Sequence, residues 1–123
     1  MSTPTRILIA DDHELVRQGL RAILTRERDW MVCGEATTGL QAITLAFELI
    51  PDVMIVDVGL PGINGLELIH RCKLIHPTLK VIAASANILD EGVEKYPFPP
   101  DRILPKPYTT TSLLMTVRML LPE

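Results

Sequence analysis

Five polar residues stand where they could do chemistry together: Asp11 and Asp12 after one short apolar run, Asp57 at the end of another, Ser85 after a third and Lys106 after a fourth. Three carboxylates gathered within about 5 Å would repel one another by roughly 3 kcal/mol per pair at an effective dielectric near 20, more than one lysine offsets. A divalent cation is the natural remedy. Since the candidate ligands are all oxygens, a hard ion such as Mg²⁺ fits, keeping some water and sharing its site with a phosphate. The spacing of His13, His70 and His76 does not suit a metal site, and these residues read as surface or satisfied histidines.

Such a cluster needs a frame that brings strand ends together. The hydrophobic period switches repeatedly between strand and helix. Ile7-Leu8-Ile9-Ala10 reads as a first strand, and Val16, Leu20, Ile23 and Leu24 lay one apolar stripe along a first helix. Trp30 to Ala36 is a second strand whose Gly34 and Glu35 suit a sheet edge. Thr38 caps a second helix with the expected buried stripe Leu40, Ile43, Phe47 and Ile50, stopped by Pro51. Val53-Met54-Ile55-Val56 is apolar without interruption and belongs in the sheet centre.

After the break at Gly59-Leu60-Pro61-Gly62, Asn64 caps a third helix burying Leu66, Ile69 and Cys72, with Pro77 marking its end. Val81 to Ala84 and Ile103-Leu104 read as the last two strands, and the final helix buries Leu113, Val117, Leu120 and Leu121. Between those strands, Ile88 to Tyr96 has room for a short helix only, because Pro97, Pro99 and Pro100 forbid its extension. Alternating strands and helices imply an α/β fold with a doubly wound parallel sheet, helices on both faces and ligands at the carboxyl ends of the strands.

Order and spacing over essentially the whole chain carry a resemblance. Asp11-Asp12, the stretch Asp57-Val58-Gly59-Leu60-Pro61-Gly62-Ile63-Asn64-Gly65, then Ser85-Ala86 and Lys106-Pro107-Tyr108 together resemble the receiver domain of two-component response regulators, the CheY-like superfamily. The opening through Leu24 is most similar to receivers fused to helix-turn-helix DNA-binding domains, whereas the tail from Leu104 to Tyr108 looks more like receivers that stand alone or are attached to histidine kinases.

The resemblance implies a five-stranded sheet in the order 2-1-3-4-5 and one receiver domain over residues 1–123. It implies that Asp57 is the phosphoacceptor, attacking phosphohistidine on a sensor histidine kinase or phosphotransfer protein. Asp12, Asp57 and the main-chain carbonyl of Gly59 would hold Mg²⁺ directly, with Asp11 acting through a metal-bound water. Ser85 would donate to one phosphoryl oxygen and Lys106 would pair with another. A cis Lys106-Pro107 peptide, a downstream effector or fused output domain, and a phosphorylation-dependent homodimer also belong to this expectation. The protein would be a phosphoacceptor that at most assists its own phosphorylation and dephosphorylation.

Three departures stand out: Ile103 where the family's switch is usually aromatic, Tyr96-Pro97-Phe98-Pro99-Pro100 where Gly-Ala is common, and Gly59 lacking a side chain beside the path of hydrolytic water, opposite Asn87. They motivate an alternative, a phosphorylation-independent interaction module on the same fold. Tyr108 fits either packing beneath the fifth strand or a partner surface. A flavin carrier would want phosphate donors in place of Asp11-Asp12. An aspartate-based phosphatase would place a second acid two residues after its nucleophile, where this chain has Gly59. Taken singly, Asp11 and Asp12 could merely cap the first helix, and Asp57 could be an ordinary turn residue.

Composition narrows the classes further. Chain length, 123 residues with 47% hydrophobic content, supports one core. Twelve basic against fifteen acidic residues, net −3 and scattered, do not provide the clustered positive surface that direct nucleic-acid binding requires. Without an apolar run of spanning length or a leader-like N-terminus, a cytoplasmic protein without a membrane segment is expected. Cys33 and Cys72 lack a C-x-x-C pairing and read as buried free thiols.

Overall fold

The computed structural model describes residues 3–86 and 99–122. Five strands, β1 (Thr5–Ala10), β2 (Trp30–Ala36), β3 (Val53–Asp57), β4 (Lys80–Ser85) and β5 (Arg102–Pro105), pair in parallel in the order β2-β1-β3-β4-β5. The expected short helix between Ile88 and Tyr96, and Asn87, lie outside the described residues. Four helices are described: α1 (Glu14–Leu24), α2 (Gly39–Leu49), α3 (Gly65–Ile75) and α4 (Thr110–Leu120).

Strand side chains alternate between two cores, as the two-residue period of a pleated strand requires. Ile7, Ile9, Val53, Ile55 and Ile82 meet Leu20 and Leu24 of α1 and Leu113 and Val117 of α4. Leu8, Met54, Val56, Val81 and Ala83 face the other way, against Ala42 and Ala46 of α2 and Leu68, Ile69 and Cys72 of α3. Every residue of β3 is buried, as its unbroken apolar run predicts for a central strand. Leu120 and Leu121 pack against the first core only in part, and Leu121 falls just beyond the helix.

The buried stripe of α2 is not the expected one. Leu40, Phe47 and Ile50 are 64%, 67% and 58% exposed, while Ala42 and Ala46 are buried and Ile43, Leu45 and Leu49 partly so. Alanine on the inner face lets the helix lie close to the sheet. Gly34 of the edge strand makes the same approach possible, since a β-carbon there would stand 2.7 Å from the Leu49 Cδ1 atom. Thr38 caps α2 as expected, accepting from the Gln41 amide, and Ile50 ends it in the left-handed conformation at φ 48°. The free cysteines also differ from each other: Cys72 is buried and Cys33 only partly so, and burial pushes the Cys72 thiol up to about 12.

Asn64 caps α3, its side-chain oxygen accepting from the amides of Leu66 and Glu67. The start of this helix is pressed against the turn after β3. A β-carbon on Gly65 would stand 2.8 Å from the carbonyl oxygen and 2.9 Å from the Cα of Val58, backbone atoms with nowhere to go. Gly65→Ala should therefore destabilise the fold by about 2 kcal/mol, the range of overpacking in a tight interior. A denaturant midpoint equal to that of the wild type would contradict this close approach.

Candidate functional site

Four strand ends deliver the polar residues to one rim. Asp57 closes β3 and is 7% exposed, and its register partner on β4 is Ala84. Ser85 ends β4, 8% exposed, and pairs in register with Pro105 of β5. Lys106 follows directly, its amide donating to the Ser85 carbonyl at 2.9 Å and its Nζ reaching Asp57 Oδ1 at 3.0 Å. The peptide between Lys106 and Pro107 is cis. The Gly59 amide donates to the same Asp57 oxygen at 3.1 Å.

Asp11 follows β1, and its amide donates to the Ala36 carbonyl of β2 at 3.0 Å. Its carboxylate is buried and accepts from the His13 amide at 2.9 Å, while Asp12 is exposed. The first helix is capped at His13 without a side-chain hydrogen bond, so neither acid serves as its N-cap. Oxygens of Asp11, Asp12 and Asp57 and a His13 ring nitrogen all lie within 4.8 Å of one another. The five residues singled out in the sequence thus converge, and His13 joins them.

His13 received no role from its spacing to other histidines; the signal was its place directly after the acid pair. Its Nδ1 lies 2.9 Å from Asp11 Oδ1, 3.2 Å from Asp12 Oδ1 and 4.0 Å from Asp57 Oδ2. The hydrogen bond to Asp11, then the charges of Asp12 and Asp11, favour the imidazolium and raise its pKa above 6.5. With the folded value above the unfolded one, this contact favours folding below about pH 6.5, and its contribution fades as pH climbs through the folded value. Ring-proton NMR of the metal-free protein should place the His13 midpoint above 6.5, and a midpoint at or below that value would contradict the geometry.

Tyr108 packs partly buried against the core beneath α1 and α4, which accords with its packing reading. Burial raises its pKa, helped by the charges of Asp11 and Asp57. Ile103, in contrast, is 37% exposed on β5.

The donor set fits a hard dication. Three carboxylates share a space under 5 Å across, their oxygens are the ligand type that Mg²⁺ prefers, and Lys106 already occupies one Asp57 oxygen. The described thiols lie elsewhere: Cys33 on the edge strand and Cys72 within α3, in the core between that helix and the sheet.

A parallel five-stranded sheet in this order, with acids and a lysine meeting at the carboxyl rim, defines a class, and the family model for the response regulator receiver domain matches residues 7–118. The chain belongs to that family, whose members act in phosphorylation-dependent two-component signalling as signalling proteins and not as classical enzymes. Among curated relatives, it is 39% identical over 94 residues to the response regulator GacA of Pseudomonas viridiflava, covering 76% of this chain and 41% of that protein. It is 34% identical over 90 residues to the nitrate/nitrite response regulator NarL of Escherichia coli K12, covering 73% and 42%. The chain therefore spans less than half the length of these relatives.

Solved structures agree. The response regulator domain of Thermotoga maritima CheB superposes with a TM-score of 0.82 at 28% identity, covering 95% of this chain and 96% of that one. The signal receiver domain of a NarL response regulator from Mycobacterium tuberculosis gives 0.86 at 26% identity, covering 96% of each. No helix among the described residues is long and apolar enough to cross a membrane.

Proposed function

We propose that this domain takes up a phosphoryl group on Asp57 from a phosphohistidine of a sensor histidine kinase or phosphotransfer protein, in a Mg²⁺-dependent reaction, and relays the change to an effector or output domain in the cytoplasm. The observation that carries the reading is the Asp57 carboxylate itself: nearly buried, at the rim of a central strand, one oxygen tied to Lys106 Nζ at 3.0 Å and the Gly59 amide at 3.1 Å. That leaves Oδ2 as the attacking atom. It forms the new O–P bond while the phosphorus–nitrogen bond of the donor breaks, and the donor imidazole keeps the electron pair and takes up a proton.

Asp12, Asp57 and the Gly59 carbonyl would hold the ion, with Asp11 acting through water. Held there, Mg²⁺ would supply neutralisation of the charge on the transferring phosphoryl group. Lys106 moves from the carboxylate oxygen to a phosphoryl oxygen, and the Ser85 hydroxyl donates to another. The Gly59 amide, donating to Asp57 Oδ1, holds the carboxylate in place before transfer.

Incubation with acetyl phosphate and Mg²⁺ should add one phosphoryl group per chain, visible by intact mass, and chelation of the metal should abolish it. The adduct should be lost in mild alkali or hydroxylamine, as an acyl phosphate is and a serine ester is not. An alkali-stable adduct, or labelling indifferent to chelation, would reject the assignment.

Exposed Ile103 favours a second reading, because an aliphatic side chain carries no hydroxyl with which to report the state of Asp57. In that reading the same fold docks its partner without phosphorylation. A partner that binds Asp57→Ala as tightly as phosphorylated wild type would establish it and overturn the first.

A further inference from the structure

The backbone of Asp11 is held on both sides of its α-carbon. Asp11 donates its amide hydrogen to the Ala36 carbonyl at 3.0 Å and accepts at its own carbonyl from Arg17 Nη1 at 2.8 Å. Arg17 lies one turn into α1, and its Nε donates to Glu35 Oε1 on the edge strand at 3.2 Å. The other oxygen, Glu35 Oε2, accepts from Arg21 Nε at 2.7 Å, so two arginines four residues apart on α1 grip one carboxylate of β2. The Arg17 side chain is only 15% exposed and that of Glu35 27%.

We propose that Arg17, anchored by Glu35, is a positioning residue that sets the Asp11–Asp12 peptide and thereby the metal affinity of the acid pair. The inference rests on the Mg²⁺ reading given above. Two consequences of the geometry support it. The Asp11 carbonyl belongs to the peptide from which Asp12 departs, and Asp12 itself is exposed, so its direction depends on that peptide being fixed. A guanidinium without its anchor is also a mobile cation one turn from three carboxylates, free to swing into the space the ion needs. Glu35 holds it back by taking Nε, and the planar fork of arginine allows Nη1 to serve the carbonyl at the same time. Lysine has a single nitrogen and cannot bridge both acceptors. Partners of this kind, one step behind the ligands, typically change metal affinity 10- to 100-fold when removed.

The test is Mg²⁺ binding without any phosphodonor, followed by amide NMR shifts in titrations of wild type, Arg17→Ala, Glu35→Gln and the double variant. The expected result is an affinity weakened about tenfold in each single variant, and a double variant no weaker than Arg17→Ala, because Glu35 acts through Arg17. With acetyl phosphate, the Mg²⁺ concentration for half-maximal labelling should rise by the same factor while the half-saturating acetyl phosphate concentration stays put. Glu35→Gln keeps the shape of the side chain, and this isostere keeps the comparison valid if Arg17→Ala folds poorly. Single variants that bind Mg²⁺ within twofold of wild type overturn the proposal and leave the metal reading standing, as does a Glu35→Gln effect that persists undiminished without Arg17. A wild type with no Mg²⁺-dependent shifts overturns both.

Discussion

Asp57→Ala should take up no phosphoryl group from acetyl phosphate under conditions that label the wild type completely. Asp57 is the only one of the three acids that meets both Lys106 and the Gly59 amide among the described contacts. Asp11 spends its carboxylate on His13, and Asp12 reaches only the His13 ring. Removing Asp57 also removes one of three mutually repelling charges, so the fold should survive the change or gain stability in the absence of metal. The loss of labelling is then chemical and not a consequence of unfolding, and a melting curve on the same sample separates the two. Equal labelling of the variant would move the acceptor to another residue.

The largest effect on stability should come from the far end of β4. Lys73 of α3 is buried, and its Nζ meets Asp101 Oδ2 at 2.6 Å, while the same oxygen accepts the Val81 amide at 2.7 Å. One carboxylate thus neutralises a buried ammonium and satisfies the second residue of β4. Asp101→Ala leaves both without a partner, and breaking a buried pair by removing one member costs about 3 kcal/mol or more. For a domain of this size, that corresponds to a melting temperature lower by roughly 10 °C. Replacing Lys73 and Asp101 together by apolar residues should recover part of the loss, because no charge is then stranded. A melting temperature within 2 °C of wild type for Asp101→Ala would show that water reaches Lys73 freely.

Much of the architecture was legible because strands and caps leave local marks. The continuous run Val53 to Val56 announced a central strand, Gly34 and Glu35 announced an edge, and Thr38 and Asn64 cap the helices expected of them. Convergence of Asp11, Asp12, Asp57, Ser85 and Lys106 followed from strand ends alone. The reading of α2 failed for a physical reason. That helix is apolar on most of its circumference, so periodicity admits two stripes, and side-chain size points to the wrong one. Close packing of the helix on the sheet buries Ala42 and Ala46 instead, with Leu45 and Leu49 lying over Gly34.

Pairings between distant residues were illegible for another reason. Arg17 with Glu35, and Lys73 with Asp101, are 18 and 28 residues apart and leave no mark that a single sequence displays. His13 was nearer to hand. Its neighbours in the chain were already the acids it serves, but metal-ligand spacing among histidines was the wrong question to put to it.

The strand order carries one more consequence. β3 and β5 share no hydrogen bonds, since β4 lies between them, yet Lys106 and Asp57 touch across it. The lysine is a strut from just beyond the outermost strand to the middle of the sheet, and its head rests on one oxygen of the central carboxylate. A group added to that carboxylate would displace the head, and the foot of the strut stands at the sheet's margin, just after the strand that carries exposed Ile103. On the function proposed above, a chemical event at the centre of the sheet would be felt at its periphery.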